Sequence, residues 1–264
     1  MKKLIIYSFI IFLLYLKVYS GIIPSPVISY RNGVTTSSSS TLNTSLISYW
    51  KLDEASGTRV DSEPTGTPQD LTDNNTVNQT NGVIGNAAWF ISANAEYLSR
   101  GSSDVFVGDI DFSISIWVQL RDNTGNKYLL SNSSGGGGAA NDTFAFDVTS
   151  GNFRFWVQTN GNYSIAVAST SITTNTWYHL VGWHDAAADT VNIKVNNGTT
   201  YSTSTSGRPP LNSTNTFIIG KYSPSGTAYW NGFVDEVGFW KKVLSASEIS
   251  ELYNSGSGKT CCPF

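Results

Sequence analysis

Residues 232–254 constrain the fold more than any other part of the chain. Gly232-Phe-Val-Asp-Glu-Val-Gly-Phe-Trp240 alternates as a strand does, with large apolar side chains on both faces, so both faces are expected to be covered. Regular alternation turns Phe233, Asp235, Val237 and Phe239 one way and Val234, Glu236, Gly238 and Trp240 the other. Directly behind it, Leu244-Ser-Ala-Ser-Glu-Ile-Ser-Glu-Leu-Tyr-Asn254 has the marks of a short helix. Ser245 is placed to cap it, Glu248 to reach back to the cap, and Ile249, Leu252 and Tyr253 to form one apolar stripe. A buried strand running into a capped helix is an unusual ending for a chain otherwise made of strand and turn.

From Leu46 onward, short strand-like runs alternate with turn signals. In Phe112-Ser-Ile-Ser-Ile-Trp-Val-Gln-Leu120 the side chains of Ile114, Ile116, Val118 and Leu120 share a face, opposite Ser113, Ser115, Trp117 and Gln119. Residues 152–158, 177–183 and 190–195 repeat that alternation, Asn196-Asn197-Gly198 is a hairpin-turn signal, and Gly135–Gly138 is a flexible loop. The pattern predicts an all-β fold: a two-sheet antiparallel β-sandwich (jelly roll) with a short C-terminal helix.

The first 20 residues have two lysines, an apolar run from Leu4 to Leu16 and small side chains around Ser20, which predicts a secretory signal peptide and a secreted or cell-surface location. Residues 21–44 form a Ser/Thr-rich linker, 45–254 the jelly-roll domain and 255–264 a C-terminal tail. No segment after the signal peptide is apolar enough to cross a bilayer as a helix. Charged residues make up 13% of the chain, the net charge is -3 and no basic patch is present, which argues against nucleic acid as a partner. Cys261 and Cys262 are adjacent, so they cannot staple distant segments; free thiols, a link to another chain and a local ring all stay open.

In their order and spacing, several segments together resemble the concanavalin A-like lectin/glucanase superfamily, in its laminin-G-like jelly-roll branch. They are Tyr49-Trp-Lys-Leu-Asp-Glu54, Ser56-Gly57-Thr58, Asp61-Ser62, Gly82-Val-Ile-Gly-Asn-Ala87 and residues 112–118. Trp177-Tyr-His-Leu-Val181, Val191-Asn-Ile-Lys-Val-Asn196, Ile218-Ile-Gly220 and the closing strand and helix complete the set. The resemblance implies two antiparallel sheets packed face to face, one of them concave. It leaves function open, because the fold carries lectins, adhesion modules and hydrolases.

Retaining glucanases of that superfamily align a nucleophile, an assisting Asp and a general acid on one strand, in the order Glu, apolar, Asp, apolar, any, Glu. The chain has no such run. Asp235 and Glu236 are adjacent and so expected on opposite faces, Glu248 and Glu251 fall on the helix, and Asp109-Ile-Asp111 lacks a third acid. No catalytic residue is assigned and the chain is expected not to be an enzyme. The two histidines, His179 and His184, have no cysteine or third histidine near them and point to no zinc site. A structural calcium ion, which laminin-G-like domains often hold, would take oxygen ligands from Asp61 near the first strand and Asp235 in the last. Candidate ligand-binding aromatics are Trp156, Tyr163, Trp183 and Trp230, each in or beside a strand with polar neighbours. The expected function is weak carbohydrate binding; the alternatives are an adhesion or structural module that binds an extracellular or surface protein and, less favoured, a glycoside hydrolase. Asn-X-Ser/Thr triplets occur at Asn74, Asn78, Asn132, Asn141, Asn162, Asn197 and Asn212.

Overall fold

The computed structural model describes residues 40–63, 66–101, 110–133, 142–159, 162–208, 210–211 and 215–262. The expected signal peptide, most of the linker, the Gly135–Gly138 loop and Asp109 lie outside the described residues. In chain order the strands are β1 (Leu46–Trp50), β2 (Thr72–Asn74), β3 (Asn78–Asn81), β4 (Asn86–Phe90) and β5 (Tyr97–Arg100). Longer ones follow: β6 (Phe112–Leu120), β7 (Lys127–Ser133), β8 (Asp142–Thr149), β9 (Asn152–Thr159), β10 (Asn162–Ala168) and β11 (Trp177–Asp185). Then come β12 (Thr190–Val195), β13 (Thr200–Ser204), β14 (Thr216–Ile219), β15 (Gly232–Trp240) and the helix α1 (Ala246–Tyr253).

Among the described residues the strands form two antiparallel sheets. The eight-stranded one runs β13-β12-β11-β6-β15-β4-β3, with β1 also on β15; the seven-stranded one runs β10-β9-β8-β7-β14-β5-β2. Alternation decides which side chains meet between them. Ile114, Ile116, Val118 and Leu120 of β6 and Leu180 of β11 face Phe144, Phe146 and Val148 of β8 and Phe153, Phe155 and Val157 of β9 in one buried core. The two sheets come so close that a Cβ on Gly182 of β11 would lie 2.5 Å from both Phe146 and Phe155. Asn196 and Asn197 both have positive φ, and the Gly198 amide donates to the Val195 carbonyl, which makes the expected hairpin between β12 and β13.

The closing strand departs from regular alternation. β4 pairs with Gly232–Val234 and β1 with Val237–Trp240, so β15 changes neighbours midway. At the change its register against β6 slips between Asp235 and Gly238, and Glu236 takes a φ of 49°. This β-bulge lets Val234 and Val237, three residues apart, both enter the core. Asp235, opposite the outward-facing Trp117, and Glu236, bonded to Tyr49, therefore share the outer face. The expectation that these two carboxylates point to opposite faces is corrected by the bulge.

The helix packs on that outer face as its stripe predicts. Ile249, Leu252 and Leu244 cover Tyr49, Val181, Trp183 and Trp240 in a second buried cluster that includes Cys261 and Cys262. Ser245 accepts from the Glu248 amide and Glu248 accepts from the Ser245 amide, so the capping box is complete. Glu248 also accepts from Thr41 Oγ1 at 2.6 Å and Lys242 Nζ at 2.5 Å. Leu42 is fully buried and its carbonyl accepts from Trp240 Nε1, so the last residues before β1 dock on the domain. Cys261 and Cys262 are joined by a disulfide, and the Cys261 amide donates to the Tyr49 hydroxyl at 3.1 Å.

Candidate functional site

On the outer face of the seven-stranded sheet, a cavity of about 200 Å³ is lined by Tyr128, Arg154, Trp156, Tyr163, Ile165 and Tyr222. Strand alternation assembles it. β9 sends Phe153, Phe155 and Val157 into the core, so Arg154, Trp156 and Gln158 face outward. Register then places Ile165 beside Trp156, Tyr163 beside Gln158, Asp147 beside Arg154 and Tyr128 beside Asp147.

Two buried carboxylates fix the aromatic walls. Asp147 accepts from Arg154 Nε (2.7 Å) and Nη2 (2.8 Å), from Trp156 Nε1 (2.8 Å) and from Thr149 Oγ1 (3.0 Å). Asp142 accepts from the hydroxyls of Tyr163 (3.0 Å), Tyr222 and Ser133. Tyr163 stands edge-on to Trp156, 4.9 Å between centres at 86°, and Tyr222 lies 4.3 Å from Tyr128. Trp156 is 3% exposed and forms the floor, whereas Tyr163 is 41% exposed and offers its ring to solvent. Burial, and after it Asp147, pushes the Tyr128 hydroxyl up to about 12; burial, and after it Asp142, raises those of Tyr163 and Tyr222. The phenols therefore stay neutral at ordinary pH, and Arg154 is neutralised by Asp147. The site offers a ring face bordered by polar atoms.

Of the four expected aromatics, the structure brings together Trp156 and Tyr163. Trp183 belongs to the cluster beneath the helix on the other sheet, and Trp230 is fully buried between the sheets. Tyr128, Arg154 and Tyr222 were not foreseen. Arg154 shares a face with Trp156 and could have been read from alternation; Tyr222 lies outside any strand and carried no local signal.

Asp61 and Asp235 are held by different amides. Asp61 accepts from the amides of Tyr49 (2.9 Å), Glu63 (3.0 Å) and Gln69 (2.9 Å), with both oxygens in use. Asp235 Oδ2 accepts from Val83 and Ile84 at 2.8 and 3.1 Å, while its buried Oδ1 has no partner. Asp53 grips the other side of the same turn through the Asn86 amide at 2.7 Å. The turn needs its glycines, because a Cβ on Gly82 would lie 2.5 Å from Asp235 Oδ2 and one on Gly85 2.5 Å from Asp53 Oδ1. Burial pushes Asp235 up to about 8 and Glu236 up to about 7, and the charge of Asp53 pushes both the same way. Among the described residues no group of three or more His, Cys, Asp or Glu is arranged to hold a metal. An ion at Asp235 would complete its shell from backbone carbonyls and water.

Another buried polar pair is Ser115 and His179, 2.7 Å apart. His179 Nδ1 has no hydrogen-bond partner, and burial holds the imidazole down to about 3. With no acid on Nδ1, the pair lacks the orienting group that serine nucleophiles use.

The Laminin_G_3 family model, of the concanavalin A-like lectin/glucanases superfamily, matches residues 92–250. Similar solved structures include domain 4 of AbnA, a GH43 extracellular arabinanase from Geobacillus stearothermophilus, in complex with arabinotriose. It is 17% identical at a TM-score of 0.61, covering 81% of this chain and 98% of that one. The binding domain of Paraclostridial Mosquitocidal Protein 1 is 16% identical at a TM-score of 0.65, over 81% and 53%. The binding domain of botulinum neurotoxin DC in complex with SialylT is 13% identical at 0.60, over 81% and 52%. The chain thus spans about half the length of those two toxin chains. No curated protein matches the sequence.

Proposed function

The chain belongs to the concanavalin A-like lectin/glucanases superfamily, in its laminin-G-like branch, and from that premise we propose that it is a non-catalytic carbohydrate-binding domain. The observation that carries this reading is the exposed Tyr163 ring, set edge-on to Trp156 and anchored by its hydroxyl to Asp142, at the rim of a polar-edged cavity. A sugar ring would lay its apolar face on Tyr163 and exchange hydrogen bonds with the Arg154 and tyrosine edges. The site is shallow, so affinity is weak. Both nearby carboxylates accept hydrogen bonds from protein donors, which supports binding without chemistry. The arabinanase domain bound to arabinotriose has the same fold, which also supports a glycan ligand. Export follows from the apolar run at residues 4–16 and would bring the domain to extracellular glycans; among the described residues no helix is long and apolar enough to cross a membrane.

Isothermal titration with a panel of neutral oligosaccharides, arabinotriose among them, tests this. Tyr163→Ala should weaken binding about tenfold while the melting midpoint holds. Undiminished binding by that variant, or capture of a protein partner with no glycan bound, overturns the proposal.

The turn at residues 82–86 supports a second element of the same reading: a structural calcium ion held by Asp235 and Asp53. The donors are all oxygen, and the unpartnered Oδ1 of Asp235 is buried where only a cation or a proton would offset its charge. Calcium should raise the melting midpoint of the native chain and leave that of Asp235→Asn unmoved. An identical midpoint with calcium and with chelator rejects the ion.

A further inference from the structure

The outer face of the eight-stranded sheet carries a second aromatic row. Trp89 on β4 lies opposite Phe233 on β15, Phe233 opposite Gln119 on β6, and Gln119 opposite Trp177 on β11. Their chain neighbours Phe90, Val234, Val118 and Tyr178 enter the core, so alternation turns the row outward. The Phe233 ring is 5.9 Å from Trp89, edge-on at 88°, and 6.1 Å from Trp177, so the three rings close over Gln119. The helix stops one row short: its Tyr253 stacks on Trp117, two residues before Gln119. All three rings are partly open to solvent.

Arg121, one residue past β6, is exposed and holds its guanidinium 5.9 Å from the centre of the Trp89 ring and 5.5 Å from that of Phe233. Among the described residues it has no carboxylate partner, unlike Arg154, which Asp147 neutralises on the opposite sheet. A guanidinium stacked on rings is oriented while its N–H edge stays free for a bidentate anion. The Gln119 amide adds a neutral donor and acceptor between the rings.

We propose that this row is a second binding site, and that its ligand is an acidic sugar, whose ring lies on Phe233 and Trp177 and whose carboxylate meets Arg121. The free positive charge selects the ligand class: a neutral sugar would leave Arg121 unused, whereas a carboxylate takes two charge-assisted hydrogen bonds. The site stands apart from the Tyr163 cavity, because the two open on opposite outer faces of the sandwich.

Titration of the full chain with sialyllactose and trigalacturonate, each against a neutral counterpart (lactose and the methyl-esterified trimer), tests the assignment. The native chain should bind at least one acidic probe about tenfold or more tighter than its neutral counterpart. Arg121→Gln should erase that preference and keep the native melting midpoint. Trp177→Ala should lose binding at this site, and Tyr163→Ala should leave the preference intact. No preference for either acid, a preference that survives Arg121→Gln, or one lost in Tyr163→Ala overturns the proposal. Neutral-glycan binding in Tyr163→Ala bears on the first reading and the acidic preference on this one, so the two can fail separately.

Discussion

His179 is the residue whose burial has the clearest consequence in solution. It packs against Trp117 and Tyr253, accepts or donates only at Nε2 toward Ser115, and is held down to about 3 by desolvation. Its folded pKa is below the unfolded value of 6.5, so between those limits the unfolded chain binds a proton that the folded chain excludes. The contribution of His179 is complete above pH 6.5 and is lost as pH falls, at up to about 1.4 kcal/mol per pH unit. Asp235 and Glu236, pushed up to about 8 and about 7, act with the opposite sign. The His179 effect is therefore read as a difference: urea midpoints between pH 7 and 4 should fall more steeply in the native chain than in His179→Gln. Parallel slopes would show that the imidazole is charged or solvated in the fold. That Trp156 and Tyr163 share the outer face of one sheet was legible in the sequence, because strand alternation is local. The burial of Trp230 was not legible, because its position in the core depends on how a loop returns between the sheets.

At the scale of elements, the helix was legible and the strand before it only in part. A capping box is written in four consecutive residues, so Ser245 and Glu248 announce it without reference to the fold. Here the cap reaches further, because Glu248 also holds Thr41 and Lys242. Ser245→Ala should cost about 1 kcal/mol, read as a lower urea midpoint at unchanged slope; an unmoved midpoint would mean the helix is held by its apolar stripe alone. β15 is the opposite case. Its bulge arises because β4 and β1 share one of its edges in succession, and no residue in the strand signals a change of neighbour. Even Glu236, at a φ of 49°, is not the glycine or asparagine that such a backbone favours. One slip of register moved a carboxylate across the sheet and created the group of acids around residues 82–86.

At the scale of the whole molecule, the two-sheet architecture was readable from strand periodicity and turn spacing, while the side chains that gather on each outer face were not. Sheets in such sandwiches lie about 10 Å apart, so ligands on the Tyr163 cavity and on the Trp89–Phe233–Trp177 row would be separated by both sheets and would not compete. One chain bearing both proposed sites would then bridge a neutral and an acidic glycan. Beads coated with a neutral oligosaccharide and beads of a second colour coated with an acidic one should co-cluster when the native chain is added. Weak sites suffice, because many chains acting between two surfaces raise the effective concentration of each second contact. Tyr163→Ala and Trp177→Ala should each abolish mixed clusters, since either loss leaves a chain with one sugar face. Mixed clusters that persist in both variants would place the two ligands on one shared surface and refute a two-faced bridge.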